Sequence, residues 1–288
     1  MDDTENIAEA GPGQVPGNPA GGTRAQMMRG DNPVGFVVLA APRSGSTWLI
    51  DLIHRSTGTT VYGELFIPRR RPRSERRMSA QTAAYLDSSF RGLPLFCETA
   101  GGGAAVRPFR TLAYLNRLFG GSCRVGFKLM YANLMHFPEV WAYVIWRRLP
   151  VVHLVRENHL DSYISSQMRY RTNTVHSLVG ETGAEGVRIQ LDGDDLLQSM
   201  RRSRRNQRIA RVLLRASRVP HLEIRYESLS QNMEPLNEVC RFLRLDMRSG
   251  PIDSNLRKLV TGAHAQLISN YAEIRGALRG TGFERFLS

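Results

Sequence analysis

Only three of the 288 residues are cysteine, and Cys97, Cys123 and Cys240 stand far apart, with neither metal-ligand spacing nor a disulfide framework. A reducing compartment follows as the default. No apolar segment approaches the ~18 residues that a bilayer crossing needs, and the first ~30 residues lack the apolar core of a signal peptide. A cytoplasmic protein is therefore expected. Carboxylates are scarce relative to cations: 26 Asp and Glu face 39 Lys and Arg, a formal net charge of +13. Such an excess points to an anionic partner and says nothing of fold. The arginine-rich stretches come without an aromatic platform, zinc spacing or a helix-turn-helix signature, so nucleic acid is not expected as a partner. Peripheral contact with an anionic membrane through the basic segments stays open, as does the oligomeric state.

What is present is organised around FVVLAAPRSGSTWL, Phe36 to Leu49. Val37, Val38 and Leu39 favour a buried strand, Pro42 and Gly45 break it, and Trp48, Leu49, Leu52 and Ile53 resume as a helical stripe ended by Gly58. A strand, a tight turn and a helix N-terminus gather unpaired N–H groups and the positive end of a helix dipole at one spot, which suits a phosphate. Against the nucleotide-triphosphate pattern G-x-x-x-x-G-K-[ST], the segment Ala40 to Thr47 keeps the second glycine as Gly45 and the hydroxyl as Thr47, but has Ser46 at the lysine position. Its one cation, Arg43, lies three positions earlier. Further on, the apolar strand VVHLV ends at Arg156, where a Walker-type enzyme generally presents a magnesium-binding aspartate.

Strands alternating with helices predict one three-layer α/β/α domain with a mainly parallel central sheet over residues 34–288, after a disordered tail over 1–33 that is rich in Gly, Pro and Ala. A second strand is expected at Thr59 to Tyr62, placing Glu64 at a strand end. A third is expected at Cys123 to Met130, where a buried Lys128 needs an anionic partner or a route to solvent. Helices are expected over Phe109 to Phe119, Pro138 to Arg148 and Glu157 to Arg171. A long helix from Asp194 or Asp195 to about Ser217 is expected to bring Ile209, Val212 and Leu213 to the core. A strand at His221 to Tyr226 should follow. Ile67 to Arg77 reads as a basic surface loop, either a solvated face or a lid, and Thr172 to Gly193 as a polar segment that shapes a pocket. His153 and His159 are expected to be satisfied structural histidines.

PRSGSTW resembles the 5′-phosphosulfate loop of sulfotransferases, which use 3′-phosphoadenosine 5′-phosphosulfate (PAPS) as donor. The resemblance implies that Arg43, Ser44, Gly45, Ser46, Thr47 and Trp48 bind the donor. LVRENHLDSYIS is similar to the element that holds the donor's 3′-phosphate, which implies roles for Arg156 and, nine residues on, Ser165, with Ser162 as the rival serine. GELF and GFKLM resemble segments of the bacterial carbohydrate and lipid (trehalose 2-sulfotransferase-like) branch. By that likeness Glu64 is the general base and Lys128 lies beside the transferring group, with Arg43 sharing the charge on the leaving phosphate. Met130 stands where cytosolic eukaryotic members carry a catalytic histidine, which shifts the base role towards Glu64. IRYESL and the carboxyl-terminal LISNYAEIRGALRGTGFERFL add to the likeness; Arg279, Gly280 and Gly282 are weaker candidates for closing over a nucleotide. The resemblance implies a sugar, glycolipid or other small-molecule hydroxyl as acceptor and requires no metal. A P-loop small-molecule kinase and a basic non-catalytic binding protein are the competing readings.

Overall fold

The computed structural model describes residues 35–66, 96, 106–121, 123–172, 177–178, 188–250, 254, 256–257 and 262–287. The tail at 1–33, the basic loop at 67–77, Cys97 and most of the polar segment at 172–193 lie outside the described residues. In chain order the elements are β1 (Gly35–Ala40), α1 (Ser46–Thr57), β2 (Thr60–Glu64), α2 (Arg107–Leu118), β3 (Val125–Met130), α3 (Tyr131–His136) and α4 (Pro138–Trp146). There follow β4 (Val151–Val155), α5 (His159–Thr172), β5 (Ser177–Leu178), α6 (Gly193–Ser217), β6 (His221–Arg225), α7 (Tyr226–Gln231) and α8 (Glu234–Leu243). The chain continues through β7 (Leu256–Arg257), α9 (His264–Leu267), α10 (Tyr271–Leu278) and a 3-10 turn at Glu284–Phe286.

Five strands form one parallel sheet in the order β2-β3-β1-β4-β6, and β5 pairs antiparallel with β7. The parallel sheet is covered on both faces, which is why β1 reads as an apolar run and β4 as one broken by His153 alone, and both are buried throughout. Alternation along β1 divides the core: Val37 and Leu39 pack with Phe127, Leu129, Val144 and Leu214, whereas Phe36 and Val38 pack with Leu49, Ile53, Val239 and Leu243. Each such aliphatic side chain contributes about 1.5–3 kcal/mol by leaving water. A third cluster joins α5, the first half of α6 and α10 through Ile164, Met168, Leu196, Met200, Ile274 and Leu278.

The expected mainly parallel α/β architecture is therefore the observed one. Helix α6 is capped by Asp192, whose carboxylate accepts from the Asp195 amide, so it starts slightly before the expected residue. Its inward face also differs from expectation. Ile209 and Val212 are 56% and 64% exposed, and the buried positions are Leu196, Met200, Gln207, Ala210 and Leu214. Small Ala210, together with Leu214, lies where the helix meets the core cluster over the sheet. The short helix α3, which closes directly on β3, had no counterpart in the sequence reading; six residues are too few for a helical period to register.

Candidate functional site

The loop after β1 turns through two left-handed residues, Arg43 at φ 60° and Gly45 at φ 86°. Gly45 is constrained twice, since a Cβ there would come within 2.3 Å of the Tyr226 ring. It is also the N-cap of α1 and offers no side-chain cap. The first amides of α1 are consequently left for something other than the protein's own cap. Ser44 is buried, and its hydroxyl donates to the Ala41 carbonyl at 2.8 Å, so this side chain braces the turn. Trp48 meets Tyr226 edge-on, with ring centroids 5.8 Å apart.

On one side of the loop stands Lys128 of β3. Its ammonium donates to Thr47 Oγ1 at 3.2 Å and pairs with Glu64 Oε1 at 3.4 Å. The anionic partner that a buried lysine requires is thus the candidate base itself. A break in register supplies it: Tyr62 sits opposite Phe127, but Glu64 rather than Gly63 sits opposite Lys128. One extra residue at Gly63 turns Glu64 to the same side of the sheet as the lysine, the ordinary effect of a β-bulge.

On the other side, Arg156 leaves the end of β4 with only 6% of its surface exposed. Nη1 donates to the Arg43 carbonyl at 3.2 Å and Nη2 to Asp161 Oδ2 at 2.6 Å, while the guanidinium lies 4.6 Å from the centre of the Tyr226 ring. Its Nε is buried with no hydrogen-bond acceptor. Asp161 is held in turn by His264, whose Nε2 is 2.9 Å from Oδ1, and Gln207 donates to the Arg156 carbonyl at 2.9 Å. Ser165, and not Ser162, faces the loop: Arg43 Nε and Nη2 both donate to Ser165 Oγ, at 2.9 and 2.8 Å, whereas Ser162 bonds back to the Asn158 carbonyl of its own helix. Burial, then the neighbouring Arg169 and Arg156, hold the Arg43 guanidinium below the usual arginine range, at about 10. Crowded cations of this kind favour an anion among them.

The Arg43 guanidinium reaches the Ser165 side of the loop, while Lys128 stands on the other. Four contributors were not foreseen: Asp161, Gln207, Tyr226 and His264. Asp161 and Tyr226 lie inside the quoted motifs, but nothing in their spacing says that they grip Arg156. The structural reading of the two histidines is met. His153 is fully buried between Tyr131 Oη at 2.6 Å and Glu223 Oε2 at 3.0 Å, and Arg211 closes on Glu223 from outside. Burial raises the Glu223 carboxyl, but the bonds from His153 and Arg211 outweigh it and hold the group at about 2. His159 lies 3.2 Å from Ser203 Oγ and against the edges of Phe283 and Phe286, with burial and then Arg204 pushing it down to about 4.

Arg279 and Gly280 are exposed at the end of α10 and make no contact with the loop among the described interactions. Among the described residues no group of three or more His, Cys, Asp or Glu side chains forms a metal site, and no helix is long and apolar enough to cross a membrane.

No protein-family model matches the chain, and no curated protein matches it. Several solved structures are similar in part, among them two sulfotransferases. One is the sulfotransferase from Alicyclobacillus acidocaldarius, at 14% identity and a TM-score of 0.37, over 80% of this chain and 87% of that one. The other is mouse sulfotransferase SULT7A1 complexed with PAP, at 15% identity and a TM-score of 0.40, over 88% of this chain and 86% of that one. Likeness of this size assigns no role to any residue, and the roles that follow rest on this chain's own geometry.

Proposed function

We propose that this chain is a PAPS-dependent sulfotransferase that moves a sulfuryl group to a hydroxyl of a small-molecule, sugar or glycolipid acceptor. The observation that carries the reading is Arg156: a buried arginine at a strand end, held by Asp161 and Tyr226 against the loop's own carbonyl, with Nε unbonded. Arg156 and Ser165 are assigned to the donor's 3′-phosphate. The amides of Gly45, Ser46, Thr47 and Trp48, with Arg43, take the 5′-phosphosulfate, and the Ser44 side chain keeps the turn in shape.

In the reaction the acceptor oxygen forms a bond to sulfur as the bond from sulfur to the 5′-phosphate oxygen breaks, leaving adenosine 3′,5′-bisphosphate. Lys128 is placed by Thr47 and Glu64 to neutralise charge on the departing phosphate, and Glu64 takes the hydroxyl proton. The pairing of Glu64 with Lys128, together with Met130 at the histidine position of cytosolic eukaryotic enzymes, favours the bacterial carbohydrate and lipid branch. A cytoplasmic setting accords with the free thiols of Cys123 and Cys240.

Thermal denaturation with added nucleotide tests the reading. Adenosine 3′,5′-bisphosphate at ~100 times its dissociation constant should stabilise the fold by ~2.7 kcal/mol without magnesium. Equal or greater stabilisation by magnesium-ATP would replace the sulfotransferase with a kinase.

A further inference from the structure

A cavity of about 660 Å³ opens beside the loop, bordered by Ala41, Pro42 and Arg43, by α3, by one face of α5 and by a long stretch of α6 from Ser199 to Leu213. At 1.5 Å per residue that stretch of helix runs about 20 Å, so the space is elongated, with the loop against its flank. Its chemistry is uneven. None of the described lining residues is an aspartate or glutamate. Arg202 and Arg205 border it one turn apart on α6, both exposed, and among the described residues neither forms a hydrogen bond or an ion pair. They also border a neighbouring groove that contains Asp194 and Asp195 without pairing with either. Two like charges at this spacing repel each other and gain from a shared anion.

The opposite stretch of the cavity is apolar. Leu134 and Met135 of α3 face Ile209 and Leu213 of α6, and Met135 and Ile209 are largely exposed. This accounts for one of the two α6 residues that depart from the sequence pattern: Ile209, expected in the core, forms a cavity wall. Between the two stretches, Ser162 and Ser166 of α5 line the space with hydroxyls. His159 also borders it and, being held near 4, adds no charge at neutral pH.

We infer that the acceptor is an amphiphilic anion: Arg202 and Arg205 take its charged group, the wall of Met135 and Ile209 takes its apolar tail, and its hydroxyl is presented where the cavity meets Tyr131, directly after the end of β3, the strand that carries Lys128 opposite Glu64. This rests on the sulfuryl-transfer reading and narrows the acceptor class within it. A neutral sugar offers the two guanidinium groups hydrogen-bond acceptors but no charge.

The test uses 3-hydroxydecanoate and its methyl ester, which share a hydroxyl and a tail and differ in charge. Calorimetry with the full chain saturated with adenosine 3′,5′-bisphosphate gives the affinity of each, and initial rates with PAPS give kcat/KM. The anion is expected to bind roughly 10–100-fold tighter, the size of a charge-assisted hydrogen bond. In the double variant Arg202→Gln, Arg205→Gln that preference should fall below about 3-fold with bisphosphate affinity unchanged. Both positions are exposed on a helix, and glutamine has nearly the helix propensity of arginine, so the variant is expected to fold. Equal binding of acid and ester, binding of neither, or a preference that survives the double variant overturns the inference. Failure of the bisphosphate itself to bind instead overturns the sulfotransferase reading.

Discussion

The two sides of the loop are built from the same ingredients to opposite ends. Each has a cation at or near the end of a strand and a carboxylate beside it, but the Arg156–Asp161 pair is short, at 2.6 Å, and braced by His264, Gln207 and Tyr226. The Lys128–Glu64 pair is longer, at 3.4 Å, and its carboxylate is half-buried. Asp161 is held by both Arg156 and His264 and has no freedom to take a proton from a substrate. Glu64 is held by one flexible ammonium group and can turn to a hydroxyl. Rigidity on one side suits recognition of a fixed phosphate. Looseness on the other suits a group that must move a proton.

The sharpest break of that comparison is Glu64→Gln. Turnover is expected to fall by ~10²–10⁴, the usual contribution of a positioned general base, while bisphosphate affinity and melting temperature stay near parental. Single-turnover rates measured beside calorimetry decide it, and a variant that transfers at the parental rate moves the base elsewhere. Next in size, Asp161→Ala strands Arg156 in a buried position and should lower stability by about 3 kcal/mol. Bisphosphate should recover part of that loss by supplying the missing negative charge. Denaturant titrations with and without the nucleotide that show the same deficit would mean that Arg156 does not face the ligand.

Arg156→Ala should weaken adenosine 3′,5′-bisphosphate by roughly 10–100-fold and adenosine 5′-monophosphate much less, with Ser165→Ala a smaller version of the same pattern. Equal losses for the two nucleotides would remove the 3′-phosphate assignment. The smallest effect concerns pH. His159 is depressed in the folded state from 6.5 to about 4, so folding favours its neutral form. Its contribution is complete above pH 6.5 and drains away as pH falls from 6.5 towards 4. Melting temperatures over that interval should decline, and His159→Asn should flatten the decline; an unchanged slope would place the acid sensitivity at another group.

How much of this was legible follows from how local each signal is. The β1, loop and α1 unit could be read because a buried run, two turn residues and a helical stripe sit within twenty-odd neighbouring residues. Arg156 was readable as a cation at the end of an apolar strand, whereas Ser165 was implied only by the resemblance of LVRENHLDSYIS to a sulfotransferase element. That Lys128 needs an anionic partner or a route to solvent was also visible, but that Glu64 is the partner depends on a bulge at Gly63, which one glycine in a short strand does not announce. The bond from Arg43 to Ser165 and the hold of His264 on Asp161 join residues more than a hundred positions apart, so only tertiary packing creates them. Helix α6 misled for the opposite reason. Its large apolar residues suggested an inward stripe, but a long amphipathic helix serving both a core and a cavity has two apolar faces, and hydropathy does not say which is which.

The bond between His264 and Asp161 also sets an order of assembly. Synthesis runs from the amino end, and the loop, β3, β4 and α5 all precede His264 in the chain by wide margins. A nascent chain that has made the whole parallel sheet still lacks the residue that fixes the carboxylate behind Arg156. On the proposed reading, the 3′-phosphate subsite is therefore completed only after the scaffold on which it stands.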